Sequence, residues 1–180
     1  MKSIFTLVGP AKVGKTTLTL KVTDMIPDRV GIIKSATTRP KRNEEDALCY
    51  ALLTKEEFEE KRSRGEFSEC VEHAGNFYAY ERRLIEDVLE KRHGICAATE
   101  EGVIELHRAG YRVVPIKILA VGHEEIQRAF YDAHPERKKA DEERREILIP
   151  IERNIVNSFI KPDGLEKAAQ EIINLIVRRA

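Results

Sequence analysis

Apolar residues in this chain recur in two periods, and the alternation between them sketches the fold. Residues 4–8 (Ile-Phe-Thr-Leu-Val) form a short apolar run, as a buried parallel strand requires. Leu18, Val22, Met25 and Ile26 then follow at helical spacing, and residues 30–34 are a second short strand. Residues 35–42 show no period and are expected to be a loop. Thr54-Lys55-Glu56-Glu57 is a capping box that opens a helix ending near Gly65. Residues 66–73 alternate as a strand, placing Phe67, Glu69, Val71 and His73 on one face, with a turn expected at Gly75-Asn76. Leu84, Ile85, Val88 and Leu89 stripe a helix over residues 81–92, which Gly94 is expected to end. Residues 95–98 form a strand, a helix runs from about Glu100 to Gly110, and residues 112–120 form another strand, with Pro115 suggesting an edge or a bulge. Residues 123–146 are two charged helical pieces broken at His134-Pro135, before Pro150. Residues 155–157 are a brief strand. Leu165, Ala168, Ala169, Ile172, Ile173 and Ile176 line one face of a final helix. Strands alternating with amphipathic helices predict an α/β fold with a mainly parallel sheet flanked by helices, and a ligand at the carboxyl ends of its strands.

Between the first strand and the first helix stands Gly9-Pro10-Ala11-Lys12-Val13-Gly14-Lys15-Thr16, the G-x-x-x-x-G-K-T phosphate-binding loop in its required context. Backbone N–H groups of such a loop solvate phosphate oxygens, and the helix N-terminus adds partial positive charge. Gly9, Lys12, Gly14, Lys15, Thr16 and Thr17 are therefore the candidate ATP-binding residues. Lys15 can span the β- and γ-phosphates, and the Thr16 hydroxyl can hold Mg²⁺. The stretch from Ser35 to Arg42 is rich in hydroxyls and arginines. Alone it reads as a solvated loop; beside a nucleotide loop it gains weight as a second anion site, with Arg39 and Arg42 forking onto phosphate oxygens. Glu69 is either on a strand edge at solvent or a carboxylate accepting the adjacent N1–H and N2–H donors of guanine. The charged stretch that includes Arg128, Arg137 and Arg144 is either a solvated helix pair or a lid that closes arginines over phosphates.

Composition narrows the setting. The chain has 180 residues, 42% hydrophobic and 34% charged, which suits one globular domain with a heavily charged surface. Lys plus Arg equals Asp plus Glu at 31 each, a balance that argues against a general nucleic-acid binder. Cys49, Cys70 and Cys96 lack metal-ligand spacing and read as reduced packing residues. No apolar run approaches the roughly 20 residues of a membrane span. A cytoplasmic protein is the expectation.

Several segments, in order, resemble the guanylate kinase family of nucleoside monophosphate kinases. Gly9 to Thr16 is similar to its ATP loop, and Ser35-Ala36-Thr37-Thr38-Arg39 with Arg42 is similar to its S-x-T-T-R-x-x-R stretch. Gly65-Glu66-Phe67-Ser68-Glu69 and Gly75-Asn76-Phe77-Tyr78 resemble its G-E-F-x-E and G-N-x-Y segments, and Ile155-Val156-Asn157 its late I-V-N strand. The resemblance implies a P-loop kinase fold with a core (residues 1–34, 81–122 and 150–180), a small GMP-binding subdomain (35–80) and a lid (123–149). It implies transfer of the γ-phosphoryl of Mg·ATP to GMP or dGMP by a monomer or homodimer. Ser35, Arg39, Arg42, Tyr50 and Tyr78 would hold the acceptor phosphate, Glu69 would read the guanine, and Thr99 would lie at the acceptor. Lys15, Arg39 and the lid arginines Arg128, Arg137 and Arg144 would act on the transferring group. The family's D-x-D is replaced here by Ala97-Ala98-Thr99, with Glu100 as a substitute metal carboxylate, and its Gly-Ser or Gly-Thr by Ala79-Tyr80. These departures keep two alternatives open: a kinase with another nucleotide or a sugar phosphate as acceptor, and a non-catalytic binding module.

Overall fold

The strand β1 (Ile4–Val8) is buried along its whole length and separates two layers of helix. The computed structural model describes residues 2–143 and 149–179, and their side chains except those of Glu69, Ala140 and Glu143. Phe5 and Leu7 face α1 (Lys15–Met25) and α8 (Gly164–Val177), joining Leu18, Val22, Ile172 and Ile176 in the largest core. Ile4 and Val8 face the other way. There they meet Ile85 of α4 (Arg82–Lys91), and Leu106 and Val103 of α5 (Glu100–Arg108). An apolar run of this kind has no polar face because helices cover both sides.

Five strands make the main sheet, in the order β2-β7-β1-β8-β9. They are β2 (Val30–Ile32), β7 (His93–Ala97), β1, β8 (Val113–Val121) and β9 (Arg153–Ser158), and every pairing is parallel. The phosphate loop leaves β1 at its carboxyl end, as expected of this architecture. A second sheet orders β4 (Tyr50–Leu52), β3 (Ser35–Thr37), β6 (Asn76–Glu81) and β5 (Phe67–His73). Its core is Ala36, Phe67 and Ala79 against Phe58 of α3 (Lys55–Ser63), whose ring lies 4.7 Å from that of Phe67. The Thr54 capping box is formed: Thr54 Oγ1 accepts from Glu57 N at 3.1 Å and Glu57 Oε2 accepts from Thr54 N at 2.7 Å. The helices α6 (Glu124–Ala133) and α7 (Pro135–Glu143) complete the described elements with the short α2 (Asp46–Cys49).

Five local expectations are corrected. Ser35–Thr37 is a buried strand rather than a loop; its hydroxyls occupy buried positions, so no apolar period marks it. Gly94 lies within β7, not at the end of α4, because the side chain of Ile33 packs where a Cβ would stand. Pro115 sits in an interior strand. Its carbonyl accepts from Glu152 N at 2.9 Å, so the N–H it lacks would face the β9 side, where the ladder starts only at Ile116 opposite Arg153. In β5 a bulge between Phe67 and Glu69 breaks the single alternation. Phe67 therefore packs with Cys70 in the small core, while Val71 and His73 line a cleft. The hairpin turn is Ala74-Gly75, one residue earlier than expected, both with left-handed backbone at φ 50° and 71°. Cys49, Cys70 and Cys96 form no disulfide, and no described helix is long and apolar enough to cross a membrane.

Candidate active site

The donor loop is shaped by its backbone. Gly9 and Gly14 have φ of 140° and 90°, and a Cβ on Gly9 would stand 2.6 Å from the Ile118 carbonyl oxygen. Lys12 takes φ 65°, a left-handed conformation that costs a non-glycine residue about 1 kcal/mol. Other elements hold the loop by its carbonyls. Asn157 Nδ2 of β9 donates to Val13 O at 3.0 Å, and Gln127 Nε2 of α6 donates to Ala11 O at 3.0 Å. Lys15 Nζ donates to Gly9 O and Pro10 O, each at 2.7 Å. No side chain caps α1, and its first turn holds no acid. The amide N–H groups at that terminus therefore point into a field that favours an anion. Oxygens of a triphosphate fit this cradle.

Across the cleft the basic residues are held by a carboxylate. Arg39 Nη1 donates to Asp46 Oδ2 at 2.9 Å, in a pair with both side chains buried, and also to Pro40 O at 3.0 Å. The same Asp46 oxygen accepts from Arg42 N at 2.7 Å, and Asn43 Oδ1 accepts from Asp46 N at 3.0 Å. Burial works against the Asp46 charge, yet the Arg39 hydrogen bond and the Arg42 N–H prevail and hold this carboxyl below its ordinary range. The Arg39 guanidinium carbon lies 5.0 Å from the Tyr50 ring centre. Burial pushes the Tyr50 phenol upward.

Gly9, Lys15, Ser35, Arg39, Arg42, Tyr50, Tyr78, Thr99 and Arg137 all line one cleft. Its far wall is Ala97, Ala98 and Thr99 at the end of β7, together with Val71, His73 and Tyr80. Thr99 Oγ1 accepts from Gly102 N at 3.1 Å, which caps α5, and Tyr80 Oη donates to Ala97 O at 3.0 Å. Ser35 Oγ donates to Ala79 O at 3.2 Å. Between α7 and α6, Asp141 Oδ2 accepts from Tyr131 Oη at 2.9 Å. Its other oxygen stands 3.1 Å from His73 Nε2 and 3.7 Å from Arg137 Nε. Burial and the Asp141 hydrogen bond push the Tyr131 phenol up to about 12. Among the described residues that line it, four cationic side chains face one carboxylate, that of Asp141, a balance that favours an anion.

Not every expected residue lies there. Arg128 is exposed on α6, outside the cleft lining. Thr17 is exposed in the first turn of α1 and Glu100 half-buried in that of α5, and neither lines the cleft. Among the described residues no group of three or more His, Cys, Asp and Glu could hold a metal ion. Arg144 lies outside the described residues. Glu69 pairs with Tyr80 along the strands, and its side chain lies outside the described ones. Sequence reasoning missed Asp46, Asp141, Gln127 and Phe130. Asp46 ends the polar run Asn43-Glu44-Glu45, which looks solvated. Phe130-Tyr131 within a charged stretch was an available signal.

The family model described as guanylate kinase matches residues 1–178. Guanylate kinase of Mycoplasmoides gallisepticum is 28% identical over 179 residues, covering 97% of this chain and 92% of the relative. Guanylate kinase of Chlamydia felis is 30% identical over 179 residues, covering 97% and 87%. The crystal structure of guanylate kinase from Anaplasma phagocytophilum is similar in fold, with a TM-score of 0.65 and 23% identity over 99% of this chain and 86% of that one.

Proposed function

The chain belongs to the guanylate kinase family, and from that premise we propose that it transfers the γ-phosphoryl group of ATP to GMP or dGMP, giving ADP and GDP or dGDP. The observation that carries this reading is that two phosphate-holding loops, one bearing Gly9 and Lys15 and the other Ser35, Arg39 and Arg42, open onto the same cleft. An acceptor phosphate oxygen attacks the γ-phosphorus as the bond to the β–γ bridging oxygen breaks, and the electron pair leaves on ADP. The chain's own work is to hold two anions in line against their repulsion. The loop N–H groups and Lys15 hold the donor; Arg39, Arg42, Ser35, Tyr50 and Tyr78 hold the acceptor. Arg137 approaches from the lid, and lid closure excludes the water that would otherwise take the phosphoryl group. Mg²⁺ bound with ATP neutralises charge on the β- and γ-phosphates, and Thr16 is the residue placed to hold it. The assignment of residues 35–80 to acceptor binding and 123–149 to a lid belongs to this reading, as does base recognition by Glu69.

The test is an ATP-dependent phosphorylation panel of GMP, dGMP, AMP, CMP, UMP and a sugar phosphate. GMP and dGMP should turn over fastest. No turnover of any acceptor above a Lys15→Ala control overturns the reading, and preference for a different acceptor overturns its guanine part.

A further inference from the structure

Two cations from different loops meet at one aromatic ring of the lid. Lys12 Nζ of the donor loop lies 4.8 Å from the Phe130 ring centre, and the Arg42 guanidinium carbon of the acceptor loop lies 5.4 Å from it. Phe130 is buried, with Tyr131 and His134 beside it at ring separations of 5.6 and 4.8 Å. Lys12 and Arg42 repel, although both residues remain largely open to solvent. Burial and then Arg42 depress the Lys12 ammonium; burial and then Arg39 depress the Arg42 guanidinium. The negative face of an aromatic ring attracts a cation and offsets part of that cost. The same helix also grips the donor loop through Gln127 on Ala11 O.

We propose that Phe130 is a positioning residue for phosphoryl transfer: its ring ties Lys12 of the donor loop and Arg42 of the acceptor loop to the closed lid, and so fixes the spacing of the two phosphate sites. The proposal rests on the reading of the cleft given above. Phe130 need not touch either nucleotide. Its effect passes through the two side chains, and alignment is where a small displacement is costly, since about 1 Å of misplacement lowers a rate roughly a hundredfold. A leucine would fill much of the ring's volume but offers no π face; a tyrosine keeps the face.

The experiment measures GDP formation and ATP consumption by the full chain, with and without GMP, for wild type, Phe130→Leu, Phe130→Tyr, Lys12→Met and the Lys12→Met/Phe130→Leu pair. Phe130→Leu should lower kcat about tenfold. It should also raise the ATP lost to water per GDP formed, with less change in the KM for ATP. Phe130→Tyr should recover to within about twofold of wild type. Lys12→Met should cost less in the Phe130→Leu background than alone, because the two act through one contact. Unchanged kcat and unchanged ATP loss in Phe130→Leu overturn the proposal, as do a tyrosine variant no better than leucine and strictly additive losses. If Phe130→Leu loses its circular dichroism signal, Lys12→Met decides: raised ATP loss supports the proposal and unchanged loss overturns it. Wild-type protein that turns over no acceptor above the Lys15→Ala control overturns the kinase reading and this proposal together; an active wild type whose variants behave like it overturns this one alone.

Discussion

The loops proposed to hold the donor and the acceptor both carry basic residues to one cleft, but they are built from opposite materials. The donor loop is a backbone device. Gly9 and Gly14 set its curvature, Asn157 and Gln127 hold its carbonyls, and Lys15 bonds to carbonyls of its own loop. The acceptor loop is a side-chain device, in which Asp46 holds the Arg39 guanidinium and the Arg42 amide at once. A backbone cradle presents partial charges that need no neutralising partner, whereas a buried guanidinium without one is destabilising. Damage to the donor loop should therefore appear in chemistry and ATP binding, and damage to the acceptor loop should appear first in stability.

Lys15→Ala should give the largest effect. Removing the cation aimed at the β- and γ-phosphates should lower kcat by about a thousandfold. The melting temperature should shift by no more than about 3 °C, because the two carbonyls Lys15 bonds remain open to solvent or ligand. A large loss of stability would mean that the donor loop, too, is held by side-chain charge. Asp46→Ala comes next. It leaves Arg39 buried and unpaired and frees the Arg42 N–H, so it should destabilise by about 3 kcal/mol in urea unfolding and raise the KM for GMP more than that for ATP.

The same carboxylate predicts a pH dependence. Its folded pKa lies below the ordinary value of 3.8, so between the two values the unfolded chain binds more protons than the folded one. Its contribution is complete above 3.8 and disappears as pH falls through the lower folded value. Urea midpoints measured from pH 5 downward should fall less steeply for Asp46→Ala than for wild type. Parallel slopes would show that the ion pair contributes nothing net.

The two constructions also differ in how readily a sequence shows them. The donor loop was legible because its chemistry is contiguous: strand, glycines, lysine and helix lie within residues 4–26, and backbone geometry is a local property. The parallel sheet and the C-terminal helix were legible for a similar reason, since burial on one or both faces writes itself as a period. The acceptor strand Ser35–Thr37 was not, because its buried positions hold hydroxyls that the structure satisfies with distant carbonyls such as Ala79 O. Asp46 looked like solvated charge because its value depends on Arg39, whose burial is a tertiary fact. Arg128 and Arg137 are equivalent in composition, yet Arg137 lines the cleft and Arg128 is exposed outside it, a difference that only the tertiary placement of α6 and α7 decides.

The smallest effect should come from the donor loop's own brace. Asn157 is buried on β9, and its amide donates to Val13 O across 144 positions of sequence. Asn157→Ala removes one neutral hydrogen bond and leaves a single carbonyl without a partner, a loss of about 1–2 kcal/mol. No charge is stranded, so the cost should stay below that of Asp46→Ala. Because the Asn157 amide holds the loop through the Val13 carbonyl, the KM for ATP should rise about two- to fivefold, the range expected when one positioning contact is lost. The KM for GMP should stay within error, since nothing connects Asn157 to Arg39 or Arg42 except the loop itself. Steady-state kinetics with each nucleotide varied in turn separates these outcomes. Equal rises for both nucleotides would mean that the loop carries strain through to the acceptor side, and the division between a backbone-built and a side-chain-built half would no longer hold.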